Sequence, residues 1–164
     1  MNISEITGDD RQQVIELWDR CDGSPATSDA HDLVAEAGKH SSSSILIGKK
    51  DGDVIAGVIV GFDGQRGWIY GVCVDKTFQR QGFGKAIVSA AETWLRERGA
   101  PSIHLQLRFT NLAAIGFYDK LGYRFQDMVV LGKHFETTRH PSSVGAHLIN
   151  MIEKEDEPVW ANLI

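Results

Sequence analysis

The chain predicts an α+β fold in which helices pack on a mixed sheet, and three observations carry that reading. Residues 45–75 hold β-branched, apolar runs separated by short glycine turns, the pattern of consecutive strands paired as a meander. Residues 83–95 hold the clearest helical period in the chain. Because that period is flanked by strand patterns, strand, helix and strand make a crossover unit, right-handed by the usual rule.

Taken in order, the first helix is expected over Asp9–Cys21, where Val14, Leu17, Trp18 and Cys21 share one face and Asp9 and Asp10 suit the positive helix end. The stretch "DGSPATSD" breaks it at Gly23 and Pro25, and Ser28 or Asp29 then caps a second helix carrying Ala30, Leu33, Val34 and Ala37 on one side. From Ile45 the character changes to strand: "ILIGKK", a hairpin turn at Asp51-Gly52, then "VIAGVIVGF", apolar enough to be buried on both faces. The turn "DGQRG" leads into "WIYGVCVD".

In the next helix Phe83, Ala86, Ile87, Ala90, Ala91, Trp94 and Leu95 form one stripe and Gly99 ends it, the outer face being charged or polar apart from Val88. "SIHLQLRF" alternates Ile103, Leu105 and Leu107, a strand with one apolar side. Asn111 caps a helix holding Ala114, Phe117, Tyr118 and Leu121 that stops at Gly122. "YRFQDMVVLGKHFE" is long enough for two short strands, and Val144, Leu148, Met151 and Ile152 in the tail are spaced for a helix face.

At 164 residues and 42% hydrophobic content the chain suits one well-filled domain. A net charge of −5 and the lack of a long basic run argue against nucleic acid as partner. Cys21 and Cys73 lie far apart with no C-x-x-C spacing, which argues against a disulfide framework or a metal site and suits a cytoplasmic setting. No apolar run approaches the roughly 20 residues that span a bilayer, so no membrane association is expected.

The glycines of "FQRQGFGKA" sit where a strand hands over to a helix. The first N–H groups of a helix lack intrahelical acceptors and carry the positive end of its dipole, so an anion settles there if no side chain blocks it. With Gly82 and Gly84 lacking Cβ atoms, the amides from Arg80 through Gln81 and Phe83 to Lys85 can curve round a pyrophosphate, with Gln79, Arg80 and Lys85 adding side-chain donors at the rim. A tight turn alone also explains the glycines. The dinucleotide fingerprint fails at Ile87, and no P-loop pattern is present.

"VCVDKTFQRQGFGKAI" resembles the acetyl-coenzyme A motif of the GNAT superfamily of N-acetyltransferases, Q/R-x-x-G-x-G/A, at Gln79, Gly82 and Gly84. "NLAAIGFYDKLGYRF" resembles that superfamily's second signature. "LWDRCD" and "GFDGQRGW" are similar to a small bacterial YpeA-like subgroup, and the ribosomal-protein alanine acetyltransferases resemble the central motif nearly as well. The resemblance spans residues 2 to 136 and implies the GNAT acyl-CoA N-acyltransferase fold: a mixed, mostly antiparallel sheet of about seven strands with about four helices, the fourth and fifth strands splayed round acyl-coenzyme A. It therefore sets a domain at 1–136 and leaves 137–164 as an extension without assigned role.

What the resemblance implies chemically is transfer of an acetyl group from acetyl-CoA to a primary amine by direct attack in a ternary complex. Val72, Cys73 and Val74 then offer main-chain groups to the pantetheine arm and the oxyanion. Tyr118 takes the general-acid position, since a phenol with a pKa of roughly 10 stays protonated at neutral pH; a core tyrosine is the plainer alternative. Asn111 touches the coenzyme as well as capping its helix. In the ribosomal-protein branch a Glu stands where this chain has Gln106, which cannot act as a base.

A water chain, His104 or Asp63 are the alternatives, and the base stays unassigned. Cys73, within an apolar strand, is read as inert rather than as a nucleophile. Asp22, Asp29 and Asp32 lie in the connection expected to wall the acceptor site. The acceptor is left open among a protein N-terminus, a lysine and a small amine, as is a homodimer built through the tail. The alternative function is a non-catalytic acyl-CoA-binding sensor.

Overall fold

The computed structural model describes residues 1–21, 34–35 and 41–133. Residues Met1–Arg124 form one compact unit and Phe125–Ile164 a second. In the second, the described residues, 125–133, form neither helix nor strand.

The first unit is a five-stranded sheet in the order β1-β2-β3-β4-β5. Its strands are β1 (Asn2–Glu5), β2 (Ser43–Lys50), β3 (Asp53–Phe62), β4 (Gly67–Val74) and β5 (Ile103–Leu105), and its helices α1 (Arg11–Arg20), α2 (Phe83–Glu97) and α3 (Leu112–Lys120). β1 to β4 pair antiparallel and β4 with β5 pairs parallel, which gives the expected mixed sheet with α2 as the crossover. Asp51 at φ 55° and Gly52 at φ 97° make the β2–β3 turn, both in the left-handed region that a two-residue hairpin demands.

Alternation along the strands sends side chains to two cores. On one face Ile45, Ile47 and Ile59 pack with Val14, Leu17 and Trp18 of α1. On the other Leu46, Val58, Val60 and Ile69 pack with Ile87, Ala91, Trp94 and Leu95 of α2 and Tyr118 of α3. Among the described residues the helical stripes read from the sequence face the cores, with two additions, Ile15 of α1 and Val88 of α2. Val88, expected on the outer face of α2, is fully buried. α3 supplies the reason, because Val88 packs in the same core cluster as Tyr118.

Three strand expectations change. β1 has no counterpart in the apolar pattern, because only Ile3 of its four residues is even half-buried. Glu5 nevertheless anchors it, accepting hydrogen bonds from Ser44 Oγ at 2.6 Å and Trp94 Nε1 at 3.0 Å. β5 stops at Leu105, short of the expected Phe109. Residues 123–133 form no ladder, so the sheet has five strands among the described residues rather than about seven. A strand needs a partner edge for its N–H and C=O groups, and three-residue β5 offers little. The second helix lies outside the described residues except Val34 and Ala35, which are helical. The tail helix lies wholly outside them.

Two tests follow from the α1 side of the sheet. Trp18 Nε1 donates to the carbonyl of Gly71 in β4 at 2.8 Å. Trp18→Phe leaves that acceptor without its donor and should lower the unfolding free energy in urea by about 1–3 kcal/mol. Asp10, before α1, accepts from Thr7 and pairs with Lys49, and the Lys49 hydrogen bond first, then Thr7, holds its carboxyl below the usual range. Its contribution is therefore complete above about pH 4, the unfolded value, and is lost as pH falls through the lower folded value. Asp10→Asn should flatten that acid limb of the stability curve.

Candidate active site

β4 loses its neighbour part-way along. The parallel ladder joins Gly67, Trp68 and Ile69 to Ile103, His104 and Leu105, and β5 ends there while β4 runs on to Val74. At the same place β4 carries a bulge: one residue of β3, Val58, lies between the pairs Gly57↔Cys73 and Ile59↔Tyr70, opposite two residues of β4. Gly71 takes φ 54°, which favours glycine.

The bulge resets which way the strand faces. Ile69 packs into the α2 core, whereas beyond Gly71 it is Val72 and Val74 that join that core and Cys73 that turns to α1. Main-chain direction follows from the ladder, since Asp75 N donates to Ile55 O at 2.8 Å. Alternation then points Cys73 at β3 and leaves Val72 and Val74 facing the side β5 has vacated. The Val74 carbonyl accepts from Gln79 Nε2 at 3.1 Å and from Cys21 Sγ at 3.6 Å, so it indeed has no β3 partner to serve.

Cys73 is 4% exposed, and its neighbour Cys21 together with burial pushes its thiol well above the ordinary cysteine range. A thiol so placed carries little thiolate at neutral pH.

After β4 the chain makes a one-turn 3-10 helix, Lys76–Phe78, capped by Asp75, whose Oδ1 accepts from Thr77 N and Oγ1. Gln79 and Gln81, both exposed, bond within their own loop: Gln81 Nε2 donates to Thr77 O at 3.2 Å, as Gln79 Nε2 does to Val74 O at 3.1 Å. Two residues of the loop take left-handed backbone, Arg80 at φ 62° and Gly82 at φ 87°. For Arg80 that conformation costs about 1–2 kcal/mol, strain of the kind stored at functional sites. Gly82 is the N-cap residue of α2 and provides no side-chain cap, so the amides of Phe83, Gly84 and Lys85 start the helix without intrahelical acceptors.

Gly84 is helical, so φ does not explain it. A Cβ there would meet Phe117 Cζ at 3.5 Å and Val74 Cγ2 at 3.8 Å, ordinary contact distances. The protein's own packing leaves that room.

α3 faces this loop. Asn111 Oδ1 accepts from Ala114 N at 3.1 Å and caps the helix. Tyr118 is 7% exposed, its ring edge-on to Phe117 and Tyr123 at 5.0 and 5.4 Å. Burial raises its phenol to about 12, so it holds its proton at neutral pH. None of the described hydrogen bonds uses its hydroxyl, and no fully buried side-chain oxygen among the described residues lacks a partner, so that hydroxyl reaches accessible space.

Of the bases considered, Asp63 is already engaged. Its carboxylate accepts from Trp68 Nε1 at 2.8 Å, Arg66 N at 2.6 Å and Gln65 N at 2.8 Å, and these bonds bring its pKa to about 2. His104 shares a hydrogen bond with Ser102 Oγ at 3.1 Å. Gln106 lies beyond the end of β5 and is exposed. Asp22, Asp29 and Asp32 lie outside the described residues.

A family model described as "Acetyltransferase (GNAT) family" matches residues 11–123. The chain belongs to the GNAT acetyltransferase family. An acetyltransferase of Pectobacterium atrosepticum is 36% identical over 133 residues, 81% of this chain and 94% of the relative. One of Yersinia pestis is 34% identical over the same shares. Among solved structures, AAC(6')-Iy in complex with the bisubstrate analogue CoA-S-monomethyl-acetylneamine superposes with TM-score 0.70 at 15% identity, covering 81% of this chain and 97% of that one. The ribosomal-protein-S18-alanine N-acetyltransferase of Escherichia coli gives 0.64 at 24% identity, covering 74% and 76%.

The protein is thus a GNAT-family N-acetyltransferase with the α+β fold that its sequence resembles. What sequence reasoning missed in this GNAT domain is the bulge; a glycine inside the strand pattern "WIYGVCVD" was the available signal. Gly84→Ala should leave the melting temperature unchanged or higher, because alanine is the better helix former by roughly 0.5–1 kcal/mol and finds room. Gly82→Ala should lower stability by about 1 kcal/mol through its left-handed backbone.

Proposed function

We propose that this enzyme transfers an acetyl group from acetyl-CoA to a primary amine within a ternary complex. The observation that carries the reading is the open edge of β4, which runs from the last β5 pair at Ile69 to the helix start at Gly82–Lys85. One end of that edge suits a thioester arm and the other a diphosphate. The room left at Gly84 is the fit test, since a backbone without a Cβ is what a close phosphate requires and nothing in the protein's packing requires it.

In this reading the amides of Arg80, Gln81, Gly82, Phe83, Gly84 and Lys85 hold the diphosphate. Gln79 acts indirectly, by tying the loop to the end of β4. Val72 and Val74 give main-chain hydrogen bonds to the pantetheine arm, and Cys73, turned to β3, keeps that edge in register. Asn111 presents the start of α3 to the coenzyme.

The donor supplies an acetyl thioester, whose C–S bond is exchanged for a C–N bond to the amine. Tyr118 holds the proton that the departing thiolate takes, and the proton shed by the amine passes to solvent and restores the phenol. Asp63 is excluded as the base by its low pKa. The alternative of a binding-only sensor finds no supporting observation. We read the setting as cytoplasmic from the two free thiols, the partners as small molecules rather than nucleic acid, and the transferase domain as 1–136 with 137–164 an extension.

An amine panel read by thiol release tests the activity directly. Tyr118→Phe should lower kcat by about 10²–10⁴ while leaving the coenzyme A dissociation constant within about twofold. Full turnover in that variant would remove the acid role. Gly84→Ala, folded normally, should weaken coenzyme A binding, and unchanged affinity would remove the diphosphate from this loop.

A further inference from the structure

Among the described residues, three rings on the sheet belong to neither core. Trp68 and Tyr70, two apart on β4, project to the same face, with centroids 6.2 Å apart and planes 11° from parallel. His104 is paired with Trp68 in the ladder, its ring 5.4 Å away. Ile69 between them enters the α2 core, so the row lies on the α1 face. Tyr70 is 39% exposed, and Trp68 and His104 are half-buried.

The row is stiff. Trp68 is pinned by Asp63, which two backbone amides hold in turn, and His104 is tied to Ser102. Tyr70 lies beside Gly61 of β3, where an added Cβ would meet its Cε2 at 3.9 Å. Rings held this firmly yet left outside the core offer a recognition surface rather than packing.

Position gives the row its meaning. Tyr70 is the first β4 residue beyond the β5 ladder and adjoins the Gly71 bulge, so the row ends at the mouth of the opening. It approaches from the face opposite Val72, Val74 and Tyr118. The far end is the Asp63 carboxylate. Aromatic faces and an ionised carboxylate attract cations, the neighbouring Arg66 offsetting part of the carboxylate's charge.

We propose that the Trp68–Tyr70–His104 row is the acceptor's docking strip, and that the acceptor is a primary amine carrying a second cationic group. This rests on the acetyl-transfer reading. The second cation sits at the Asp63–Trp68 end while the reacting nitrogen reaches the bulge past Tyr70. The 6.2 Å between the two ring centroids is a lower bound on the separation of the two nitrogens, so the spacing calls for a diamine longer than four carbons, such as 1,6-diaminohexane.

The test compares 1,6-diaminohexane with n-hexylamine by kcat/KM in the thiol-release assay. The diamine should be preferred by at least about tenfold, and Trp68→Leu or the exposed-site variant Tyr70→Leu should bring the two near parity with coenzyme A affinity unchanged. Tetramethylammonium, which cannot be acetylated, should quench fluorescence saturably in the wild type and not in Trp68→Leu. Equal use of both amines, or turnover of neutral acceptors alone, would overturn the strip even with acetyl transfer intact. Saturable quenching without turnover of any amine would uphold the strip and overturn the transfer reading. Neither quenching nor turnover would overturn both.

Discussion

The parting of β4 from β5 after Ile69 is the constraint on which the rest of the site depends. A strand whose outer edge is paired has nothing to offer a ligand. Here the ladder lapses after three pairs, and the bulge at Gly71 sets the phase of the three residues beyond it. Without that extra residue Cys73 would face the α2 core and Val72 and Val74 would turn to α1. The carbonyl of Gly71 is in turn held by Trp18, so α1 fixes the bend in β4.

Beyond β4 the loop is arranged in the same spirit, with its side chains engaged in holding its backbone. Gln79, Gln81, Asp75 and Thr77 all hydrogen-bond locally, and Phe78 meets Phe83 edge-on at 6.2 Å. Arg80 keeps a left-handed backbone at a cost that this network offsets. The N–H groups at the head of α2 lack intrahelical acceptors, and the Arg80 and Lys85 side chains lie exposed beside them.

Much of this was legible in the sequence, and the features that were not have identifiable causes. α2 and α3 were readable because both bury an apolar stripe against the same core. β1 escaped because an edge strand held by Glu5 and main-chain pairing carries almost no hydrophobic pattern. β5 was overdrawn because the alternation of Ile103, Leu105 and Leu107 continues past the point where its ladder stops. Val88 was misplaced because a helical wheel shows one face, whereas α2 has neighbours on two. The bulge could not be located from residues alone, since a register shift belongs to a pair of strands. Tyr118 was nameable, but the combination of a buried ring and an accessible, unshared hydroxyl belongs to the packing around it.

The central claim is that one continuous edge, from Val72 to the amides of α2, receives a thioester coenzyme. Residue-resolved hydrogen exchange with and without coenzyme A measures that edge directly. Slowed exchange is expected at the amides of Val72, Val74 and Phe83 to Lys85, with Cys73, already paired to β3, unchanged. Protection that leaves those amides untouched, or that emerges only elsewhere in the chain, would contradict it.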